Sequence, residues 1–293
     1  MRVGPVSVVL PTVGRVEALQ EGLASIAGQS VLPEQLWLIV DAYDTAFVDR
    51  LGLDRLPFRA EVLFTGGGQG ACRARNLGIA RVDTPYVAFI DDDDAWAPAK
   101  LERQLEAMHV TRAVLSYTAR RIRYDSRKKT LVRGRRAFKE PPADPARVIF
   151  RENFVGTLSS VMVRSDALVA VRGFDESMPA MQDYDLYIRL CQEGRVTACR
   201  QELTEYSVGA PGSQISSNLQ AYVYAAARLR EKYSGSKHLS NPWQRRRFHA
   251  KLMESVARAA AASGPAAALP WVWKSFCSAP RPAVLKHLFR LGH

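Results

Sequence analysis

Four carboxylates stand side by side at Asp91, Asp92, Asp93 and Asp94, directly after the apolar run of residues 86–90. Adjacent aspartates repel one another, and a divalent cation carrying a diphosphate would offset that repulsion. Hard Mg²⁺ or Mn²⁺ takes one or two carboxylates and completes its shell with phosphate oxygens and water. The alternative is a solvated acidic turn that caps a helix starting at Pro98. A second polar group, Arg73, Arg75 and Asn76, has phosphate-binding chemistry, because a guanidinium pairs well with phosphate. On a helix Arg73 and Arg75 point about 200° apart, so only one of them faces a given ligand. Their plainer roles are a surface salt bridge for the arginines and a backbone bond for Asn76.

These groups need elements to carry them. Residues 6–10, 36–40, 61–64 and 86–90 read as short apolar strands, and Leu19, Leu23 and Ile26 recur at helical spacing. Residues 71–80 read as a further helix. Alternating strands and helices predict a parallel sheet covered on both faces, and ligands of such sheets bind beyond the carboxyl ends of the strands. Pro11, Thr12, Asp41 and the acidic run all fall at strand ends, so three segments converge on one edge. Residues 66–70, Gly-Gly-Gly-Gln-Gly, match neither a Walker loop nor a dinucleotide fingerprint. They form either a pliable loop able to approach a ligand closely or a plain connection. Beyond the acidic run the pattern predicts a helix over 98–108, a strand over 113–118, a strand over 160–164 and a helix over 183–193. Residues 120–139 form a basic insertion, either a hairpin or a loop. After Leu219 the chain reads as wholly helical, cut into short pieces by Pro242, Pro265, Pro270, Pro280 and Pro282.

The 293 residues suit one large domain, alone or with an appendage. The net charge of +12 is unevenly placed. Residues 228–293 hold thirteen Lys or Arg against Glu231 and Glu254, and residues 112–139 hold eleven against Asp125 alone, so the remainder carries −9. Basic regions of this kind attract anionic lipid, nucleic acid or anionic substrates. Only Tyr124 and Phe138 interleave the first one, and no nucleic-acid fold is recognisable, so no nucleic-acid partner is expected. The four cysteines form no Cys-x-x-Cys pair and read as reduced thiols. No run of 18 apolar residues is present, so no membrane-spanning helix is expected. Residues 281–291 place Val284, Leu285, Leu288 and Phe289 together on a helix, preceded by Trp271, Trp273 and Phe276. That stripe either lies in a membrane interface or packs on the protein body.

Ordered motifs over roughly residues 5–217 resemble a family 2 glycosyltransferase of the GT-A fold. Val6-Ser7-Val8-Val9-Leu10-Pro11-Thr12 looks like its opening strand and Leu38-Ile39-Val40-Asp41 like its second. Ala74-Arg75-Asn76-Leu77-Gly78 is similar to its Ala-Arg-Asn-x-Gly segment, and residues 89–96 resemble the strand end that bears its Asp-x-Asp motif. Gly173-Phe174-Asp175-Glu176 and Gln182-Asp183-Tyr184-Asp185-Leu186 resemble its later acidic segments. The resemblance implies an α/β, Rossmann-like, mostly parallel sheet flanked by helices. Residues 1–218 would be the GT-A domain, with 1–98 binding the nucleotide sugar and 99–218 lying on the acceptor side. Residues 219–293 would form a basic helical extension.

The activity implied is an inverting, Mn²⁺- or Mg²⁺-assisted transfer from a nucleotide-diphosphate sugar to a glycan or lipid-linked acceptor, in the synthesis of surface polysaccharide, lipopolysaccharide or a related glycoconjugate. On this reading Asp93 and Asp91 hold the metal, with Asp91 also near the ribose. Asp92 or Asp94 stands behind them. Pro11, Thr12, Arg15, Asp41, Arg73, Arg75, Asn76, Asp91 and Asp92 surround the donor. Asp183 would be the general base, with Asp185 as the second choice; without the resemblance, Asp183 reads as an ordinary helix cap. Residues 213–216 resemble a segment that closes over the diphosphate. Two departures stand out. Ala42 follows Asp41 where a second aspartate is common, which bears on a uridine donor unless Asp44 compensates. Gln182 replaces a glutamate, which removes a repulsive charge beside Asp183 and should lower its pKa. The expected location is the cytoplasm, or the inner face of the cell membrane if residues 265–293 engage anionic lipid. The alternatives are a non-catalytic nucleotide-sugar-binding relative and a nucleic-acid-binding protein.

Overall fold

The computed structural model describes residues 2–124, 132–135, 138–208 and 218–287. Two compact units emerge from the contacts. The first comprises residues 1–143, 154–175 and 189–208; the second comprises 144–153, 176–188 and 209–293.

The first unit is built on a mixed sheet. Strands β1 (Arg2–Thr12), β2 (Val31–Val40), β3 (Arg59–Phe64) and β4 (Tyr86–Phe89) lie in the order β3-β2-β1-β4 and are all parallel. Val6, Val8, Val9 and Leu10 are all fully buried, as is Ser7 between them, which explains why the centre of β1 is largely apolar rather than alternating. Helices α1 (Val16–Ala27) and α2 (Ala71–Ile79) provide the crossovers. Leu19, Leu23 and Ile26 of α1 pack on Val8, Leu10, Leu36, Leu38 and Ile90. Each such side chain contributes about 1.5–3 kcal/mol on burial. The register sets Thr12 opposite Val40 and Val9 opposite Phe89, so the ends of β1, β2 and β4 emerge along one edge.

The rest of the sheet reverses direction. After β5 (Ala95–Trp96) and α3 (Lys100–Thr111), β6 (Leu115–Tyr124) carries β7 (Val132–Arg135) antiparallel beside it. After the short helix α4 (Pro145–Val148), β8 (Val161–Arg164) runs antiparallel to both β4 and β6. Helices α5 (Ser165–Ala170) and α6 (Gln182–Glu193) follow, and then β9 (Val196–Val208), parallel to β6 and antiparallel to β5. The basic insertion is therefore a hairpin at its base, and residues 125–131, 136 and 137 lie outside the described residues. Its first arm is not a free basic surface: Arg121 pairs with Glu202, and Arg123 pairs with Glu21 and Glu205.

The second unit is helical, with α7 (Leu219–Lys232), α8 (Pro242–Ala260) and α9 (Pro265–Ser278). Phe150, Tyr233 and Phe248 meet edge to face at 5.2–6.3 Å between ring centroids. Asn241 and Gln244 form a reciprocal cap at the start of α8, and Pro242 and Pro265 occupy first-turn positions, where the missing N–H costs nothing. The expected division into short pieces fails at two places. Helix α8 runs for 19 residues, and Pro270 lies inside α9 without ending it. Pro270 is exposed, so water can satisfy the carbonyl its ring leaves behind. Residues 282–287 form a 3₁₀ turn in which Val284 is buried against Ala257 and Val272, while Leu288, Phe289 and Arg290 lie outside the described residues. All four cysteines are free thiols.

Candidate active site

The acidic run divides by alternation. Asp92 and Asp94 retain 3% and 1% of their exposure, whereas the Asp91 and Asp93 side chains retain 29% and 20%. Asp92 fastens the end of β4 to the end of β1: it accepts the Thr12 hydroxyl at 2.7 Å, the Val13 N–H at 3.4 Å and an Arg15 N–H. Asp94 fastens the same turn to two distant segments, accepting the Ser159 hydroxyl and the Ser207 N–H at 2.8 Å. Burial, with Asp91 and Asp93 nearby, lifts the Asp94 carboxyl well above its ordinary range despite those two donors.

Asp91 and Asp93 face outward, each beside an arginine. Arg75 donates to Asp91 at 2.6 Å, and its guanidinium lies 5.5 Å from the centroid of the Phe174 ring. Arg15, just ahead of α1, donates to Asp93 at 2.7 Å as well as to Asp92. Burial works against the Arg15 charge, yet Asp92 and Asp93 hold its pKa above the ordinary value. Burial also raises the Asp93 carboxyl; Asp91 and Asp92 add to the shift and Arg15 opposes it. An oxygen-only pair in such a field suits a hard divalent cation. Among the described residues no three His, Cys, Asp or Glu side chains gather as a metal cage. A cation here would have one or two carboxylates and take its other ligands from phosphate and water.

The remaining residues of this edge have distinct tasks. Asp41 is buried at the end of β2 and accepts the N–H groups of Gln69 and Gly70, each at 2.8 Å, as well as the Thr65 hydroxyl. It thereby shapes the glycine loop, where Gly66, Gly67, Gly68 and Gly70 all have positive φ. The exposed Tyr43 ring lies against this loop so closely that a Cβ on Gly67 would stand 2.7 Å from it. Asp44 is tied locally, accepting the Ala46 N–H. Pro11 pairs with Ile39 in the sheet. Of the two arginines of α2, Arg75 turns inward to Asp91 and Arg73 is exposed. Asn76 makes two bonds to the Phe174 backbone, at 2.8 and 2.9 Å, next to Gly173 with φ +62°.

In the second unit, Asp183 stands in the first turn of α6, partly exposed, and accepts the Tyr184 N–H at 2.7 Å. Met181, two residues earlier, holds φ +55°, an uncommon conformation for a side chain of its size. Asp185 is fully buried and neutralised by Lys232 at 2.9 Å and by the Tyr233 hydroxyl at 2.8 Å. Residues 213–216 lie outside the described residues.

A model of glycosyl transferase family 2 matches residues 7–171, more than half of the chain. The chain belongs to glycosyl transferase family 2. The family match takes in the second half of β1, all of β2, the α2 arginines and the acidic run, and it ends before Phe174 and Asp183. Two relatives named as glycosyltransferases illustrate the distance. A putative teichuronic acid biosynthesis glycosyltransferase, TuaG, of Bacillus subtilis is 31% identical over 114 residues, covering 39% of this chain and 45% of its own. An uncharacterised glycosyltransferase of Haemophilus influenzae is 22% identical over 182 residues, covering 60% of each chain. The matches thus span about half of the length of these relatives. The crystal structure of Staphylococcus aureus TarS 1-349 in complex with UDP-GlcNAc shares the fold, with a TM-score of 0.61, 14% identity and coverage of 95% of this chain and 89% of that one.

Ser159 and Ser207 were not singled out by the sequence, and Phe174 entered only as part of the segment at residues 173–176. Serines carry no pattern of their own, and each acts 65 residues or more from the aspartate it serves. The strand that positions Ser207 was missed as well, because β9 is polar and only weakly alternating.

Proposed function

We propose that this chain transfers a glycosyl group, with inversion, from a nucleotide-diphosphate sugar to an acceptor hydroxyl on a glycan or lipid-linked carrier. The observation that carries this reading is the division of the acidic run: Asp92 and Asp94 anchor it, and Asp91 and Asp93 face outward beside Arg75 and Arg15. Mn²⁺ or Mg²⁺ bound there would neutralise the charge that gathers on the departing diphosphate. Asp91 and Asp93 would hold it, with Asp92 fixing the strand end behind them. Arg15 is the half-exposed cation of this edge, and Arg75 sets the position of Asp91. Asp41 holds the glycine loop in one shape, which keeps its backbone available to a nucleotide. Donor binding is assigned to residues 1–98 and the acceptor side to 99–218.

The acceptor hydroxyl must lose a proton as it attacks the anomeric carbon. Asp183 is the base assigned to it. Two observations support this choice over Asp185: Asp183 is partly exposed, and Asp185 is buried against Lys232 and Tyr233. The likeness to TuaG supports a role in surface polysaccharide synthesis, and the UDP-GlcNAc held by TarS makes uridine diphosphate sugars the first donors to try. Ala42 and the local bonding of Asp44 argue for testing other bases beside them. A lipid-linked acceptor would bring the protein to an anionic membrane through residues 265–293.

A thermal-shift panel of uridine, guanosine, thymidine, adenosine and cytidine diphosphates, each with and without Mn²⁺, tests the donor site. A ligand at about 100 times its Kd adds roughly 2.7 kcal/mol of stability. The expected result is a Mn²⁺-dependent shift with one base, lost in Asp93→Asn. A panel without any shift would sink the donor assignment. A shift without sugar transfer would favour the non-catalytic relative. NMR of the product anomer then decides inversion.

A further inference from the structure

Helix α9 has the sequence Pro-Ala-Ala-Ala-Leu-Pro-Trp-Val-Trp-Lys-Ser-Phe-Cys-Ser, with Lys274 as its single charge. A helix that is apolar all round is normally buried all round, but α9 is buried on one face only. Ala268, Val272 and Ser275 pack inward, and the Ser275 hydroxyl donates to the Ala250 carbonyl of α8 at 2.8 Å. The opposite face carries Ala266, Leu269, Pro270, Trp273 and Cys277, all exposed and all at helical spacing. Leu269 is 54% exposed and Trp273 65%. Lone exposed apolar residues are ordinary, whereas a contiguous stripe that includes a tryptophan marks an interaction surface.

Charge identifies the occupant. From Ser255 to His293 the chain has no Asp or Glu, while Arg258, Lys274, Arg281, Lys286 and Arg290 are all basic. Lys274 sits over the Trp271 ring, 4.5 Å from its centroid, at the border of the apolar face. An apolar stripe bordered by Lys274, in a stretch of sequence that is rich in cations and holds no anion, fits the interface of a bilayer with anionic headgroups. Length decides how the helix would sit there. Fourteen residues reach about 21 Å, short of the roughly 30 Å of a bilayer core, so α9 cannot cross. Among the described residues no helix is long and apolar enough to do so. The carbonyl that Pro270 leaves without a helical partner also suits the hydrated headgroup layer better than the dry core.

We propose that the outer face of α9, centred on Leu269 and Trp273, docks this protein flat on an anionic phospholipid surface. The docking element is thus α9 rather than the 281–291 stripe, whose Val284 faces inward. The proposal does not depend on the donor assignment, because vesicle binding and nucleotide binding are read separately.

Flotation of the full chain with vesicles of phosphatidylcholine alone, or with 30% phosphatidylglycerol, tests it. The expected result is co-flotation with the anionic vesicles, weakened by salt. The double variant Leu269→Ser/Trp273→Ser should bind at least tenfold less while keeping the melting temperature and nucleotide shift of the parent. Equal binding by parent and variant would overturn the proposal, as would a parent that binds neither vesicle. A parent that is dimeric by light scattering and a variant that is monomeric, with no vesicle binding by either, would assign the face to a second copy of the chain and also overturn it.

Discussion

In the run at residues 91–94 the buried carboxylates are held by hydroxyls, backbone N–H groups and one arginine, whereas in the Asp183–Asp185 pair the buried carboxylate is held by an ammonium and a phenol. Both clusters set an enclosed aspartate beside a more open one. They differ in what the enclosed member needs. Asp94 meets no cation in direct contact among the bonds that hold it, and its carboxyl is lifted well above the ordinary range. Asp185 lies 2.9 Å from Lys232, a full counter-charge. A carboxylate can therefore be enclosed either by letting its proton affinity rise or by supplying a partner. Lys100 makes the contrast sharper. It is fully buried, bonded to Gln104 at 2.7 Å and set 4.0 Å from the centroid of the Trp96 ring, and burial lowers its pKa to about 7.

The largest effect should come from the open member of the second cluster. Asp183→Asn should lower transfer by roughly 10²–10⁴ with nucleotide binding unchanged, the span expected for a general base. Measured turnover beside the thermal-shift panel checks this, and full activity would remove Asp183 from the chemistry. Lys232→Met strands the Asp185 charge and should cost about 3–5 kcal/mol in a urea titration; a cost near zero would mean that Asp185 takes up a proton instead. Removing the buried cation should do the opposite. Lys100→Met should stabilise the protein by about 2–4 kcal/mol at pH 7, since a lowered lysine pKa makes the unfolded chain bind more protons and stability rise with pH. The parent should gain stability from about pH 7 to pH 10, and the variant should show a flat profile. Thr12→Val withdraws one donor from Asp92 and should cost about 1.5–3 kcal/mol. The smallest effect concerns Asp94. Its raised pKa contributes stability at acid pH that fades as pH rises through the folded value. Asp94→Asn should flatten that decline in melting temperature from acid to neutral pH.

Much of the edge proposed for the donor was legible in the sequence because burial and position coincide there. Residues 6–10, apolar but for Ser7, and the unbroken apolar residues 36–40 lead to Thr12 and Asp41, so the strand ends announced themselves. The division of labour within residues 91–94 was not legible, since four identical side chains differ only in partners that come from residues 12, 13, 15, 75, 159 and 207. Asn76 shows the same limit. Its sequence left ligand binding and a backbone bond both open, and the two bonds to the Phe174 backbone depend on a segment 98 residues away. In the tail, helical content was readable from composition, but helix lengths were not. Proline at a first-turn or water-facing position does not stop a helix, and position relative to water is a tertiary fact.

The bond from Ser207 to Asp94 spans 113 residues. During synthesis at about 5–20 residues per second, the acidic run would leave the ribosome on the order of 10 s before its last fastener. For that interval the nascent chain presents four aspartates with part of their final bonding missing. Until β9 arrives Asp94 lacks its Ser207 donor, so completion of this edge waits on translation of the latter half of the first unit rather than on the strands that bear it.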